Sequence, residues 1–230
     1  MMDNKEQFLL QKQQVAEAAL DYIEHPMVLG IGSGTTVFEL IKRLPQRKQY
    51  LKTVVAASRA SVERLMQCGI TAVRSGDVEI IDLYLDGADE IDEHLCMIKG
   101  GGAALTGEKI MASMAARFIC LVDRSKLCVC LGRSPLPIEI IPGALPLVRK
   151  RLLAWGASKI VVRDTMTEYG NLLLMVSGID FVTHSPLFWE RYLNQLPGVV
   201  TNGIFAQRPA DQMLVATGNE VRCYDQFSAC

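Results

Sequence analysis

The sequence predicts an α/β protein with a Rossmann-like, mainly parallel sheet domain and a smaller ferredoxin-like α+β domain. Short apolar runs, typical of buried strands, alternate with amphipathic helical patterns through the first half of the chain. Polar and glycine-rich motifs follow three of these runs, at Gly32–Thr36, Asp86–Asp92 and Asp123–Lys126. Because ligands of parallel sheets gather beyond the carboxyl ends of the strands, the same pattern predicts where the site lies.

The elements of the first domain follow from apolar periodicity and from turn signals. Apolar residues at helical spacing predict a helix over residues 4–24, which His25-Pro26 ends. Apolar runs then predict strands, and amphipathic stretches between them predict helices. In order these are strand 27–31, helix 37–44, strand 53–57, helix 59–68, strands 70–73 and 79–85, helix 106–117 and strand 118–122.

A cluster of prolines at 135, 137, 142 and 146 marks a change in the sequence pattern. After it the pattern predicts strand 137–141, helix 144–155, strands 159–163 and 172–177, helix 186–196 and strand 198–206, the β-α-β-β-α-β order of a ferredoxin-like domain. Its sheet face should comprise Ile138, Ile140, Val161, Leu172, Leu174 and Val176. Residues 213–224 predict a hairpin around Gly218-Asn219 that returns to the first sheet.

These elements divide the chain into two expected domains. Residues 1–131 and 207–230 should form the Rossmann-like catalytic domain, and residues 132–206 the small α+β domain. The small domain carries no glycine-rich turn and no paired carboxylates, so its expected role is packing or subunit contact.

Composition excludes several classes of function. The 24 basic and 25 acidic residues leave no basic surface of the kind that binds nucleic acid. No apolar run approaches the roughly 20 residues that cross a bilayer, and the first seven residues are too polar for a signal peptide. The seven cysteines form no C-x-x-C pair, which favours buried reduced thiols over disulfides or zinc ligands. We therefore expect a soluble cytoplasmic protein.

The turn Gly30–Thr36 suggests a phosphate site but not a dinucleotide site. Thr35 stands where the dinucleotide fingerprint needs its third glycine, and no lysine follows as in a Walker A loop. Ser33, Gly34, Thr35 and Thr36 instead offer three hydroxyls and several amides to a small phosphate. The alternative is that the hydroxyls only cap the following helix.

The run Asp86–Asp92 places carboxylates directly after an apolar strand. Asp86 and Asp89 are the functional candidates, with Lys99 as the expected cation opposite them. The structural alternative is that aspartates after a strand only cap a turn. Other charges of this region are expected to be solvated: Glu90, Asp92, Glu93 and, on the next helix, Lys109.

The stretch Lys99–Ile110 combines a lysine, three successive glycines and a carboxylate. Glycines allow the backbone to approach a ligand closely, so the amides of Gly100, Gly101 and Gly102 are candidate donors to a substrate oxygen. Glu108 lies where a helix should begin. There the helix dipole alone would favour an acid, by under about 1 kcal/mol.

Taken together, five motifs resemble ribose-5-phosphate isomerase, type A: Gly30–Thr36, Asp86–Asp92, Lys99–Ile110, Leu136–Pro142 and Leu196–Ala206. The resemblance spans most of the chain, although its last twelve residues match no motif of the family. It implies interconversion of ribose 5-phosphate and ribulose 5-phosphate in the non-oxidative branch of the pentose phosphate pathway. It also implies no metal or other cofactor, and a homodimer or possibly a tetramer.

The resemblance also implies roles for individual residues. Glu108 would be the general base, taking the C2 proton of the open-chain aldose and returning it at C1 through a cis-enediolate. Asp86, Asp89 and Lys99 would serve ring opening, proton transfer and charge stabilisation, although whether Lys99 faces the enediolate or the phosphate stays open. The implied substrate-binding positions are Ser33, Gly34, Thr35, Thr36, Gly87, Ala88, Gly100, Gly101, Gly102 and Lys126.

Two other functions fit parts of the pattern. One is a non-catalytic sugar-phosphate sensor, but such regulators usually carry a basic DNA-binding helix pair, and the sequence shows none. The other is a CoA transferase with a glutamate nucleophile, for which the chain is short. The presence of all four candidate catalytic residues favours the isomerase.

Overall fold

The computed structural model describes residues 4–218 and 220–225. Its helices are α1 Asn4–Ala19, α2 Thr35–Ile41, α3 Arg59–Gln67, α4 Leu105–Met114, α5 Leu145–Ala154 and α6 Pro186–Asn194. Its strands are β1 Met27–Ile31, β2 Leu51–Ala56, β3 Ala72–Val73, β4 Ile81–Asp86, β5 Glu90–Ile91, β6 Met97–Ile98, β7 Ala115–Asp123, β8 Leu136–Ile140, β9 Lys159–Val162, β10 Leu172–Ser177, β11 Val199–Asn202, β12 Ile204–Phe205, β13 Gln212–Thr217 and β14 Glu220–Asp225. Short 3-10 turns lie at Leu20–Tyr22, Leu44–Tyr50, Ser75–Asp77, Arg124–Lys126 and Pro142–Ala144.

The described residues form two compact units. The first unit takes the residues up to Gly87, then Ile110–Leu127, and those from Ala210 onward; the second takes Ala88–Lys109 and Cys128–Pro209. Residues 88–109 therefore group with the second unit, whereas the sequence placed them in the first domain. The reason is a short antiparallel sheet in which β6 pairs with both β5 and β12.

The first unit contains a sheet in the order β14-β13-β7-β4-β1-β2-β3. Its strands from β13 to β3 pair in parallel, and β14 pairs antiparallel with β13. The predicted parallel sheet and the return of the C-terminal hairpin to it are thus confirmed. The apolar core of this unit packs α1 and α2 against the sheet, through residues that include Val15, Ala19, Val37, Leu29, Ile31, Leu85 and Leu121.

The second unit contains an antiparallel sheet in the order β11-β8-β10-β9, with α5 and α6 as its connecting helices. This confirms the predicted ferredoxin-like order. The core residues include Ile138, Ile140, Leu174, Val176, Trp189 and Leu193. Val161, predicted on the same face, is instead 41% exposed on the edge strand β9.

Two predicted elements differ because long-range pairing overrides local pattern. The helix predicted to reach residue 117 ends at Met114, since β7 begins at Ala115 and pairs there with Ile81 of β4. The strand predicted over 198–206 divides at Gly203, where a Cβ atom would overlap the Lys99 carbonyl and the Pro137 ring.

The cysteines of the described residues are free, but the expectation that most are buried is wrong. Cys120 is buried, Cys130 and Cys223 are exposed, and the others are half-buried. The last cysteine of the sequence, at 230, lies outside the described residues.

Candidate active site

The polar residues predicted after β1, β4 and β7 lie along one edge of the sheet of the first unit. These three strands are neighbours and pair in parallel, so their carboxyl ends share an edge. The turn Ser33–Thr36 follows β1, Asp86 ends β4, and Lys126 lies half-buried in the 3-10 turn after β7. The Asp123 carboxylate accepts the Ser125 N–H at 2.9 Å and so caps that last turn.

Asp86 is packed against the turn after β1. Its side chain is 1% exposed and accepts the N–H groups of Ser33 at 3.0 Å and Gly87 at 2.7 Å, and the Tyr84 hydroxyl. A Cβ atom on Gly32 would overlap the Asp86 carboxylate, so only glycine fits there. Asp86 therefore fixes the shape of the Ser33–Thr36 turn.

Lys12 of α1 also reaches this turn, and the sequence analysis missed it. Its Nζ atom donates to Thr35 Oγ1 at 2.9 Å. The two residues line an open groove of about 460 Å³ together with Phe38, Lys42 and Arg64. A signal was present, because Lys12 stands three, four and seven residues before the buried Val15, Ala16 and Ala19, on the packed stripe of the helix.

In the second unit the structure pairs Lys99 with Glu108. Both side chains are about 2% exposed, and the lysine Nζ donates to Glu108 Oε2. Lys99 directly follows β6, and its N–H donates to the Gly203 carbonyl at 2.9 Å, which fixes its backbone. Its Nζ also lies 4.8 Å from the centroid of the Phe205 ring. Glu108 lies in the first turn of α4, as predicted.

The three glycines between them have different surroundings. Gly100 has φ +94°, and a Cβ atom there would overlap the Leu105 side chain. On Gly101 a Cβ atom would lie 3.3 Å from Asp89 Oδ2, whereas Gly102 has no such neighbour within 4 Å among the described atoms. The second unit thus brings together Asp89, Lys99, the glycine loop and Glu108.

Two charges predicted to be solvated are in fact buried, and a third is half-buried. Glu90 is 0% exposed and accepts the N–H groups of residues 132–134, at 2.8 Å from Gly132. Asp92 accepts those of His94 and Cys96 at 3.0 and 2.9 Å, and burial raises its pKa above the ordinary range. Glu93 is exposed, as expected. The half-buried charge is on Lys109.

Lys109 points into the second unit rather than to solvent. Its Nζ donates to Glu190 Oε1 at 2.6 Å and to the Ile204 carbonyl, and lies 4.4 Å from the Phe205 ring centroid. Burial lowers the Lys109 pKa, and the Glu190 carboxylate opposes that shift. The prediction failed because these partners lie 81 and 95 residues further along the chain.

Within the described part of the chain, no group of three or more His, Cys, Asp or Glu side chains is placed to hold a metal ion. None of the helices described combines the length and hydrophobicity of a membrane-spanning segment.

Comparison with known proteins gives consistent matches over most of the chain. The family model for ribose 5-phosphate isomerase A (phosphoriboisomerase A) matches residues 53–220. Ribose-5-phosphate isomerase A of Methylibium petroleiphilum is 44% identical over 211 residues, which are 92% of this chain and 95% of that protein.

Solved structures agree with the sequence matches. The crystal structure of ribose 5-phosphate isomerase A from Neisseria gonorrhoeae aligns with a TM-score of 0.89 at 36% identity, over 94% of this chain and 96% of that one. A D-ribose-5-phosphate isomerase in complex with phospho-erythronic acid aligns with a TM-score of 0.87 at 35% identity, over 97% and 100% of the two chains.

Proposed function

The chain belongs to the ribose 5-phosphate isomerase A family, and we propose that Glu108 is the general base of its reaction. As a member of that family it is an isomerase that interconverts ribose 5-phosphate and ribulose 5-phosphate. The observation that carries the assignment of the base is the buried pair of Glu108 and Lys99 beside the glycine loop.

The reaction moves one proton between adjacent carbons and one between adjacent oxygens. In our proposal the Glu108 carboxylate takes the C2 proton of the open-chain aldose, leaving a cis-enediolate. The resulting carboxylic acid then gives this proton to C1, and the carboxylate is restored. No net charge is created, because the negative charge passes from Glu108 to the substrate and back.

Lys99 suits this transfer of charge. In the free enzyme its Nζ donates to Glu108. When Glu108 becomes neutral, the same ammonium group can donate to the enediolate oxygen, so a cation stays beside the anion throughout. The amides of Gly100–Gly102 would add fixed donors to the same charge. Preorganised donors of this kind are typically worth about 2.7–4 kcal/mol each in an oxyanion site.

We assign the phosphate to the turn Ser33–Thr36 of the first unit, with the amides of that turn, Gly87 and Ala88 as further contacts. Lys12 and Lys126 supply the positive charge there. The geometry that supports this is the Lys12–Thr35 hydrogen bond and the groove beside it. Asp86 and Asp89 would serve ring opening and the transfer of the hydroxyl proton. A related isomerase binds phospho-erythronic acid, an acid that also carries a phosphate.

We also infer a cytoplasmic enzyme of the non-oxidative pentose phosphate branch that works as a homodimer or tetramer without a cofactor. The exposed apolar side chains of α5 and α6 in the second unit support self-association: Leu147, Leu153, Phe188 and Tyr192. Sedimentation equilibrium of the purified protein would give the subunit number. A monomer at micromolar concentration would contradict this part of the proposal.

The substitution Glu108→Gln tests the base. Glutamine keeps the shape of the side chain and an acceptor for Lys99 but cannot take the C2 proton. In EDTA and without added cofactor, turnover of ribose 5-phosphate should fall about 10²–10⁴-fold, with unchanged circular dichroism. Glu93→Gln, at a side chain 73% exposed, is the matched control and should keep wild-type turnover.

Two outcomes would overturn different parts of the proposal. Near-normal isomerisation by Glu108→Gln would remove Glu108 from the role of base while leaving the family activity intact. If the folded wild-type protein forms no ribulose 5-phosphate under these conditions, cofactor-free isomerisation fails as a whole.

A further inference from the structure

Two half-buried residues of α4 near Glu108, Thr106 and Lys109, are both held by buried carboxylates of the second unit. Thr106, two positions before Glu108, donates from Oγ1 to Glu139 Oε2 at 2.5 Å. Lys109, the next residue, donates to Glu190 Oε1 at 2.6 Å. Neither acid takes part in the reaction proposed above.

Glu139 is the acceptor at the centre of a small polar network. It is 0% exposed in the middle of β8, within the motif Leu136–Pro142 to which no role has been given. Besides Thr106, its carboxylate accepts the Thr167 hydroxyl at 2.7 Å and the Asn171 side-chain amide at 2.8 Å. A buried carboxylate costs several kcal/mol unless donors surround it, and here three do.

The network reaches the glycine loop by a second route. Thr167 and Asn171 are the ends of a turn closed by a backbone hydrogen bond of 2.9 Å from Thr167 N–H to the Asn171 carbonyl. Inside that turn, Glu168 N–H donates to the Ala103 carbonyl at 3.1 Å, directly after the three glycines. One end of the segment 103–106 therefore bonds to Glu139 directly, through Thr106, and the other end bonds to the turn whose two end residues bond to Glu139.

We propose that Glu139 is a positioning residue for the isomerisation, which sets the loop and first helical turn that carry Glu108. Replacing Glu139 itself by an apolar side chain would leave three donors without their acceptor, and unpaired donors destabilise the fold, so the test is made at one of the donors instead. The carboxylate contributes a fixed geometry. Three donors hold it in one position on β8, and its bond to Thr106 holds that residue in place as well. The proposal rests on the assignment of Glu108 as base.

Glu190 provides a second attachment on the other side of Glu108. It is 2% exposed and also accepts the N–H groups of Ala206 at 2.8 Å and Gln207 at 2.6 Å. With this attachment intact, loss of the Thr106 bond should displace the helical turn slightly and leave it folded. Misplacement of a reacting group by about 1 Å can cost about 10²-fold in rate.

The substitution Thr106→Val cuts the link to Glu139 while it conserves the volume and branching of the side chain. We expect kcat to fall about tenfold with KM within about twofold of wild type, since ground-state binding of the sugar phosphate is kept. Thr106→Ser retains the hydroxyl and should restore kcat to within about twofold.

Thr201→Val is the matched control for a lost buried hydroxyl. Thr201 faces Glu139 across the β8–β11 pair, and its Oγ1 has no hydrogen-bond partner among the described residues. This variant should turn over at the wild-type rate. A tenfold loss here would show that any packing change near Glu139 slows the enzyme, which would overturn the specific role of the Thr106 bond.

A double mutant shows whether Thr106 acts through the base. If it does, Thr106→Val should cause no further loss of kcat in the Glu108→Gln background, because there is no base left to position. An additional tenfold loss would assign the effect to general structure and overturn the proposal. If Glu108→Gln loses turnover but Thr106→Val turns over at the wild-type rate, only the positioning role of Glu139 is contradicted. If Glu108→Gln keeps near-normal turnover, the assignment of Glu108 as base is contradicted, independently of Thr106.

Discussion

At the scale of single residues, the pair of Glu108 and Lys99 is better explained by catalysis than by stability. Taking both charges out of water costs several kcal/mol per ion, and their attraction often only offsets that cost. The Phe205 ring near Lys99 Nζ adds a favourable cation–π contact. In the reaction proposed above, however, a dry cation beside Glu108 would stabilise whichever oxygen carries the negative charge.

A second residue, Asp92, leads to a prediction about pH. Burial raises the pKa of its carboxyl group, although the N–H groups of Cys96 and His94 oppose the shift. A carboxyl with a raised pKa in the folded state binds more protons there than in the unfolded chain, so the free energy of unfolding falls as pH rises through that window. At neutral pH the buried charge is a net cost.

Asp92→Asn should therefore stabilise the protein at neutral pH, because asparagine keeps an acceptor oxygen without the charge. The gain should be largest at pH 7.5, shrink as the pH falls through the raised pKa of the folded state and vanish below the unfolded-state pKa of about 3.9. Urea unfolding at several pH values measures it, with Glu79→Gln at an exposed position of the first unit as control. A gain that does not change with pH, or a loss at pH 7.5, would contradict the argument.

Residue types and spacing were sufficient to find the candidate catalytic groups but not the buried acids that surround them. Glu108 and Lys99 lie nine residues apart in one local motif, so the sequence finds both, although it placed Lys99 opposite Asp86 and Asp89 and did not predict its pairing with Glu108. Glu90, Glu139 and Glu190 each accept from donors 16 or more residues away, and in the case of Lys109 and Glu190 the separation is 81 residues. No local pattern distinguishes such an acid from a solvated one, because its burial depends on those distant donors.

At the scale of elements, the conformation of the glycine loop before α4 depends more on Gly100 than on Gly102. Gly100→Ala would place a side chain at φ +94° and against Leu105. Left-handed backbone costs about 1–2 kcal/mol and overpacking about 1–3 kcal/mol, so the free energy of unfolding should fall by about 2–5 kcal/mol.

Gly102→Ala is the matched variant in the same loop. Its new methyl group would meet no described atom within 4 Å, and its stability should change by less than about 1 kcal/mol. Urea unfolding of the two variants side by side measures the difference. Equal destabilisation would mean that the loop is not shaped by the contact of Gly100 with α4.

The elements that the sequence predicts best are those whose apolar runs are long enough to show a period. β1 and β10 have the predicted bounds, 27–31 and 172–177. The two-residue strands β5 and β6 were missed and β12 was merged into a longer strand, since two residues cannot display alternation. Those three strands are the ones that assign residues 88–109 to the second unit.

At the scale of the whole molecule, the chain passes between its two units four times, after Gly87, Lys109, Leu127 and Pro209. The second of these passages lies inside a continuous helix, because α4 extends from Leu105 to Met114. The predicted single insertion of residues 132–206 would have needed only two passages in ordinary loops. A helix that belongs to both units should make their unfolding interdependent, since its hydrogen bonds form cooperatively.

The chain offers a direct test of this coupling, because its two tryptophans, Trp155 and Trp189, both lie in the second unit. Gly30→Ala perturbs the first unit: the added Cβ would lie 2.9 Å from Ile81 and Tyr84 side-chain atoms, an overpacking that costs about 1–3 kcal/mol. In urea at one protein concentration, tryptophan fluorescence and far-UV circular dichroism should give coincident transitions, and Gly30→Ala should lower both midpoints equally. If the units unfold independently, the fluorescence midpoint of Gly30→Ala will stay at the wild-type value while circular dichroism shows two steps.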